Sequence, residues 1–179
     1  MQVQAGRDGH RGGLKDKVNI PLLTWLAETI YIYLPAYIAN ATPVLLSGGG
    51  SLDGDRNWID GKPLFGDHKT IRGTLSGLAA GFLIGLAQGS PFMGALLSIG
   101  AIGGDLIVSF FKRRMNLKPG ALLPIADQMG FIILAVILVG LTEQAPRWDQ
   151  ALGILVATLP IHYLSNLVAW ALKLKTNPW

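Results

Sequence analysis

The chain has 179 residues, of which 50% are hydrophobic and 15% are charged, and its mean hydropathy is +0.41. Soluble domains carry about 25% charged residues, so this composition excludes an ordinary soluble protein and predicts an integral membrane protein. The chain has no cysteine, which excludes disulfides and thiolate metal sites. Its length fits one compact unit, and we predict a single transmembrane domain over residues 1–179.

Five apolar runs approach the length of about 20 residues that a helix needs to cross a bilayer. They predict spans at residues 22–46, 73–89, 92–111, 121–142 and 150–172. The first run is too long for a cleavable signal peptide and lacks a small-residue cleavage site. The predicted fold class is therefore an all-α bundle of five transmembrane helices.

The distribution of lysine and arginine predicts the orientation of this bundle, because basic residues close to span ends favour the cytoplasmic side. With the N-terminus outside, the cytoplasmic segments hold ten of the 15 Lys and Arg residues and the outer segments hold five. We therefore predict an outside N-terminus, a cytoplasmic C-terminus and cytoplasmic loops at residues 47–72 and 112–120. The predicted location is the cell membrane.

The second span repeats glycine at every fourth position: Gly73, Gly77, Gly81, Gly85 and Gly89. At this spacing the glycines form one ridge, on which a neighbouring helix can approach backbone to backbone. We interpret this helix as scaffold. The ridge could pack within the chain or against a second copy, so a homodimer stays open.

The end of the third span carries a polar face. Asp105, Ser109 and Lys112 are spaced i, i+4 and i+7, so they share one side of a helix at its cytoplasmic end. Proline and glycine between Lys118 and Pro124 then break the helix and turn the chain back. This turn is expected to return Asp127 to the same interface.

The two carboxylates of Asp105 and Asp127 are candidate metal ligands, because ionisable groups are costly at membrane depth and mark functional sites there. With no nearby His or Cys, they suit a hard cation such as Mg²⁺, which binds through one or two carboxylates and substrate phosphates. The alternative is a pair of structural ion pairs, Asp105 with Lys112 or Arg113 and Asp127 with Lys118.

Two further segments offer candidate substrate contacts. Lys69, Thr70 and Arg72 precede the second span, where a helix N-terminus also presents free backbone N–H groups to an anion. Ordinary basic flanking of a span is the alternative, and these residues alone favour it. Asn40 lies between two prolines of the first span, and it is interpreted either as a ligand of a nucleotide or lipid head group or as an interhelical hydrogen-bonding residue.

A family resemblance joins these features. The chain resembles the membrane CTP-dependent lipid cytidylyltransferases, the phosphatidate cytidylyltransferase group, in Gly104-Asp105-Leu106, in Ser109-Phe110-Phe111-Lys112-Arg113, and in Lys118, Pro124 and Asp127. The short five-span form and the segment Leu34-Pro35-Ala36-Tyr37-Ile38-Ala39-Asn40-Ala41-Thr42-Pro43 are similar to the archaeal branch, the CDP-archaeol synthase family. The bacterial form has His-Gly-Gly before its second acid and Arg-x-Asp after it. Those places here read Ile125-Ala126 and Gln128-Met129-Gly130.

The resemblance implies that a lipid phosphate attacks the α-phosphate of CTP to give a CDP-lipid and pyrophosphate. In the archaeal branch the lipid is 2,3-bis-O-geranylgeranylglycerol 1-phosphate. Asp105 and Asp127 would hold Mg²⁺, and the phosphates would be bound by Lys112, Arg113 and Lys118, with a hydrogen bond from Ser109. The implied partners are CTP, the lipid phosphate and the bilayer, without nucleic acid.

The alternative function is a small membrane transporter or ion-relay protein that uses Asp105 and Asp127. Relay acids are expected along a pore at the bilayer midplane. These two lie toward the basic, cytoplasmic end of their predicted spans, which favours the enzyme.

Overall fold

The structure is a computed structural model that describes residues 15–118, 121–123 and 125–174, the first six of them by backbone alone. These residues form five α-helices: α1 (Lys15–Leu45), α2 (Ile71–Ala87), α3 (Pro91–Arg114), α4 (Ala126–Gly140) and α5 (Trp148–Ala171). In the described part of the chain, the only β-structure is two isolated bridges between α1 and α2. The predicted all-α fold class is confirmed.

Three stretches of the described helices are long and apolar enough to cross a membrane: Pro21–Leu45, Pro91–Arg114 and Trp148–Ala171. The other two helices are apolar but shorter, with 17 residues in α2 and 15 in α4. At 1.5 Å per residue they extend about 26 and about 23 Å, somewhat less than a hydrocarbon core of about 30 Å.

The helix bounds differ from the predicted spans at the site end of the bundle. α4 begins at Ala126 rather than at residue 121, because Ile125 has a φ of 66° and cannot continue a right-handed helix. α3 continues to Arg114, so Lys112 and Arg113 are helical where a loop was predicted. Cations are favoured in the last turn of a helix, where the backbone carbonyls carry partial negative charge. Pro119, Gly120 and Pro124 lie outside the described residues.

α1 continues as a helix through Pro21, Pro35 and Pro43. Proline has no N–H, so Pro35 leaves the carbonyl of Tyr31 without its usual helical donor. The side chain of Gln88, at the end of α2, donates to that carbonyl at 2.6 Å. A neighbouring helix therefore satisfies the backbone group that the proline leaves without a donor.

The glycine ridge of α2 packs inside the chain. Gly73, Gly77, Gly81 and Gly85 are buried, and a Cβ placed on Gly81 would lie 2.6 Å from the carbonyl oxygen of Pro35 in α1. The fifth predicted member, Gly89, does not belong to the ridge, because it has a φ of 75° in the turn after the helix and a Cβ there would meet nothing. The ridge is scaffold, as expected, and its use within the chain removes it as a surface for a second copy.

A second backbone contact joins α3 to α4. A Cβ on Gly104 would lie 2.7 Å from the carbonyl carbon of Gly130, and a Cβ on Gly100 would lie 2.7 Å from the backbone nitrogen of Ala135. Only glycine permits this approach. Because the two helices are antiparallel neighbours, the contact brings the end of α3 beside the beginning of α4.

α5 packs against α1 at the opposite end of the bundle. The ring of Trp25 lies against Gly153, where a Cβ would be 2.8 Å from Cζ2, and the indole N–H donates to Asp149 at 3.0 Å. Farther along α5, the hydroxyls of Tyr37 and Thr158 form a hydrogen bond of 2.7 Å.

Candidate active site

A cavity of about 140 Å³ lies where the end of α3 meets the beginning of α4 and the loop that precedes α2. Asp105, Ser109 and Lys112 line it from one face of α3, and Asp127 lines it from the first turn of α4. The remaining lining residues are Phe65, Gly66, His68, Lys69 and Arg113. Six of the residues predicted from sequence to act in the site therefore share this cavity.

Each carboxylate of the cavity forms an ion pair with a lysine from another element. Lys69 of the loop pairs with Asp105 of α3. Lys112 of α3 donates to both oxygens of Asp127, at 2.9 and 2.8 Å, and the backbone N–H of Leu123 donates to Asp127 at 2.7 Å. These pairs are not the ones that the ion-pair alternative predicted. Asp105 pairs with Lys69 rather than with Lys112 or Arg113. Asp127 pairs with Lys112 rather than with Lys118.

Arg113 adds a buried cation to the wall of the cavity. Its side chain lies against Gly66, it is 7% exposed, and its Nη2 donates to the carbonyl of Lys118 at 3.3 Å. The Nε of Arg113 is buried and has no hydrogen-bond partner among the described residues. Three cations and two carboxylates leave the cavity with one net positive charge, which suits an anionic ligand.

Asp53 shapes the loop that closes the cavity. This residue is 8% exposed, and its carboxylate accepts from the backbone N–H groups of Phe65 at 2.9 Å, Gly66 at 3.0 Å and Asp55 at 3.2 Å. Burial raises the pKa of Asp53, but the hydrogen bonds from Gly66 and Phe65 outweigh burial and hold that pKa below its usual value. Asp53 is therefore ionised at neutral pH and fixes the backbone that faces Arg113.

Arg114 ties the same loop to the end of α3. Its guanidinium donates to the carbonyls of Pro63 at 2.9 Å and Leu64 at 3.2 Å, and it forms an ion pair with Asp60. Lys62 donates in return to the carbonyl of Arg114 at 2.8 Å. The loop therefore has a fixed position over the cavity.

Three predicted contacts are absent from the walls of this cavity and of the larger cleft beside it. Thr70 caps α2, where its hydroxyl accepts from the N–H groups of Gly73 at 3.1 Å and Gly48 at 3.3 Å. The side chains of Arg72 and Lys118 are exposed to solvent. Lys118 meets the site only through its carbonyl, which accepts from Arg113.

The larger cleft, of about 410 Å³, shares His68, Lys69, Asp105, Lys112 and Asp127 with the first cavity. It extends between α1, α4 and α5, where it is lined by Asn40, Pro43, Val44, Ser47, Ala121, Leu122, Gln128, His162 and Asn166. Sequence reasoning missed His68, Gln128, His162 and Asn166 as site residues. The available signal was that two of these polar residues, His162 and Asn166, lie one turn apart in the apolar fifth span.

The donor set of the cavity fits Mg²⁺. No group of three or more His, Asp or Glu side chains gathers within the described ranges. Asp105 and Asp127 nonetheless line one cavity, with side chains that are 34% and 22% exposed. Mg²⁺ binds through one or two carboxylates together with substrate phosphates, so two partly exposed carboxylates are a sufficient protein contribution.

Comparison with known proteins assigns the chain to a family. A family model described as CDP-archaeol synthase, CarS-like, matches residues 22–179. The chain belongs to the CDP-archaeol synthase family. The CDP-archaeol synthase of Pyrococcus furiosus is 41% identical over 165 residues, which cover 86% of this chain and 98% of the relative. The CDP-archaeol synthase of Methanopyrus kandleri is 40% identical over 163 residues, which cover 86% of this chain and 94% of the relative.

A solved structure supports both the family and the fold. It is that of an intramembrane enzyme for archaeal membrane lipids biosynthesis, with 34% sequence identity and a TM-score of 0.68, and the match covers 79% of this chain and 94% of that one. The resemblance to the archaeal cytidylyltransferases is thus confirmed, and this member of the CDP-archaeol synthase family is an integral membrane protein. A transporter or ion relay is not favoured, because these relatives are enzymes.

Proposed function

We propose that this protein is a CTP-dependent cytidylyltransferase that converts CTP and a lipid phosphate to CDP-archaeol and pyrophosphate. The names of the relatives support this activity. The observation that carries it is one cavity in which Asp105 and Asp127 meet Lys69, Lys112 and Arg113. The proposed lipid is 2,3-bis-O-geranylgeranylglycerol 1-phosphate.

The reaction is a displacement at phosphorus. An oxygen of the lipid phosphate forms a bond to the α-phosphorus of CTP, and the bond from that phosphorus to the pyrophosphate oxygen breaks. The nucleophile is already an anion, so the protein does not need a general base. Catalysis then depends on positioning and on neutralising charge, which Lys112 and Arg113 provide for the phosphates. The hydroxyl of Ser109 adds a hydrogen bond to a phosphate oxygen.

Asp105 and Asp127 are the proposed ligands of Mg²⁺. When bound, Mg²⁺ supplies positive charge to phosphate oxygens and orients them. The lysine partners of the two carboxylates hold these side chains in one cavity before any ligand enters. Lys69 and Lys112 are then beside the phosphates that they help to bind.

The proposed setting is the cell membrane, with five spanning helices, the N-terminus outside and the active site facing the cytoplasm. Ten of the 15 basic residues support this orientation. The short helices α2 and α4 can span by locally thinning the bilayer, at a cost of a fraction of a kcal/mol per Å. In this orientation the cavity opens toward the nucleotide pool.

Radiolabelled CTP tests the proposal. The purified protein should transfer label from CTP into a chloroform-soluble product only when lipid phosphate and Mg²⁺ are both present, and ATP or GTP should not replace CTP. Asp105→Asn and Asp127→Asn should each lower kcat by about a hundredfold or more, because each removes charge from the reacting centre. Glu143→Gln, at an exposed position after the end of α4 that lies opposite the cavity, is the control.

The outcomes separate the two parts of the proposal. If the wild-type protein transferred no label from CTP, the proposed activity would be wrong. If it transferred label but both aspartate variants kept full turnover, the metal assignment alone would fail.

A further inference from the structure

We infer that α5 recognises the glycerol backbone of the lipid phosphate, through His162 and Asn166. This inference rests on the proposed function and adds to it the part of the protein that selects the lipid. The site has two compartments. The small cavity holds the cations, whereas the larger cleft extends away from them between α1, α4 and α5.

His162 and Asn166 form a fixed polar pair in the wall of this cleft. They lie one turn apart on α5, and the Nδ2 of Asn166 lies 3.1 Å from the Nδ1 of His162. When the amide donates to Nδ1, the neutral imidazole carries its hydrogen on Nε2. Asn166 is 8% exposed, and the imidazole packs on the ring of Phe131 in α4, with 6.1 Å between centroids. The pair is therefore held in place before a ligand binds.

The chemistry of the lining differs between the compartments. Arg113 lines only the small cavity, and Lys69 and Lys112 stand where the two compartments meet. Beyond them the cleft is lined by neutral polar side chains, including Asn40 and Asn166, and by apolar ones, including Val44 and Leu122. Phosphates need cations, whereas the ether oxygens of a glycerol backbone are neutral acceptors that neutral N–H donors satisfy. The cleft thus suits the uncharged, amphipathic part of the lipid head.

The depth of His162 and Asn166 in the bundle also indicates the glycerol backbone as their ligand. Asn166 and His162 precede the end of α5 at Ala171 by five and nine residues, or about 8 and about 14 Å along the helix axis. Arg113 lies in the last turn of α3, at the same end of the bundle. A lipid whose phosphate reaches the cations therefore places its glycerol deeper, beside α5. Its chains remain in the bilayer, so its head must enter between helices rather than through the loop side.

Kinetics of variants test this assignment. His162→Phe keeps a ring against Phe131 but removes both nitrogens, and Asn166→Leu removes the amide. Each should raise KM for the lipid phosphate about tenfold, as expected for one or two lost hydrogen bonds, and leave KM for CTP within twofold. His162→Gln, which keeps an N–H donor, should recover most of the loss. Ser165→Ala is the matched control, because Ser165 is exposed on α5 and its hydroxyl bonds to the carbonyl of Ile161.

Equilibrium binding without CTP gives a readout that does not depend on turnover. The probes are the glycerol-bearing lipid phosphate and geranylgeranyl phosphate, which has the same kind of chain but no glycerol. The wild-type protein should bind the first more tightly, by about tenfold. His162→Phe and Asn166→Leu should lose this preference and still bind geranylgeranyl phosphate as the wild type does.

Each result decides the inference. A rise in KM for CTP that equals or exceeds the rise for the lipid would assign the cleft to the nucleotide and overturn it. Unchanged KM values for both substrates, or an unchanged lipid preference in binding, would make the pair a packing element only. A wild-type protein that lacks cytidylyl transfer but shows the lipid preference, and loses it in the variants, would refute the proposed activity and leave the lipid site standing. If Asn166→Leu does not fold, the ring-preserving His162→Phe decides.

Discussion

Replacing Gly104 by alanine tests whether the backbone contact between α3 and α4 sets the geometry of the active site. The new Cβ would lie 2.7 Å from the carbonyl carbon of Gly130, which is 0.7 Å short of the 3.4 Å at which ordinary van der Waals contact begins. The opposing atoms belong to the backbone and cannot rotate away. α3 and α4 must therefore separate. This separation occurs next to Asp105, which follows Gly104 in α3, and three residues from Asp127, which precedes Gly130 in α4.

The magnitude of the effect follows from two opposing terms. Forcing a methyl group into a packed contact costs about 1–3 kcal/mol, whereas alanine in place of glycine stabilises a helix by about 1 kcal/mol. Gly104→Ala should therefore lower the free energy of unfolding by up to about 2 kcal/mol. A displacement of about 1 Å between catalytic groups can lower the rate about a hundredfold. We therefore expect a large decrease in kcat together with a modest decrease in the free energy of unfolding.

Gly103→Ala is the matched control, one position earlier in α3. A Cβ there would meet the flexible end of Leu134 at 3.1 Å rather than backbone. Thermal denaturation in detergent and CTP incorporation should show Gly103→Ala at or above wild-type stability with kcat within twofold, and Gly104→Ala with kcat reduced about a hundredfold. Equal kcat values for the two variants would refute the conclusion that this contact positions the carboxylates.

Further expectations concern the loop and α1. Asp53→Asn should raise KM for CTP and speed proteolysis of the loop before α2, because it removes charge-assisted hydrogen bonds worth about 1.5–3 kcal/mol each, whereas the exposed Asp55→Asn should do neither. Since the folded-state pKa of Asp53 is lowered, its contribution to loop stability is complete above the usual pKa of about 3.9 and is lost as the pH falls through the lower folded-state value. Acid should therefore make the wild-type loop sensitive to an acid-stable protease, and Asp53→Asn should be sensitive without acid. Gln88→Leu should lower the melting temperature, because it removes the hydrogen bond to the exposed carbonyl of Tyr31 opposite Pro35, which contributes about 0.5–1.5 kcal/mol.

Local periodicity made part of the fold and of the site predictable. Apolar runs located the helices, and the spacing of Asp105, Ser109 and Lys112 placed them on one face because helical neighbours recur every three or four residues. The repeated glycines of α2 identified a packing ridge for the same reason. Proline and glycine between Lys118 and Pro124 also predicted a turn that brings Asp127 back to α3.

The rest depends on contacts between distant segments, which have no local pattern. Lys69 pairs with Asp105 across 36 residues, and nothing in the order of residues selects that lysine over Lys112. Asp53 is one of several acids in its loop, and no local pattern distinguishes it because its backbone partners lie 12 and 13 residues away. Gly100 and Gly104 lacked the long repeat that marks α2, so their backbone contact with α4 was not visible.

α5 and the pair α3 and α4 carry different parts of the site. α5 is held to α1 by Trp25, through Gly153 and Asp149, at the end opposite the cleft, and again by the hydrogen bond between Tyr37 and Thr158. The carboxylates of the small cavity lie on α3 and α4, which meet backbone to backbone. A substitution at the contact of α5 with α1 can therefore alter the wall of the cleft while the carboxylates keep their spacing.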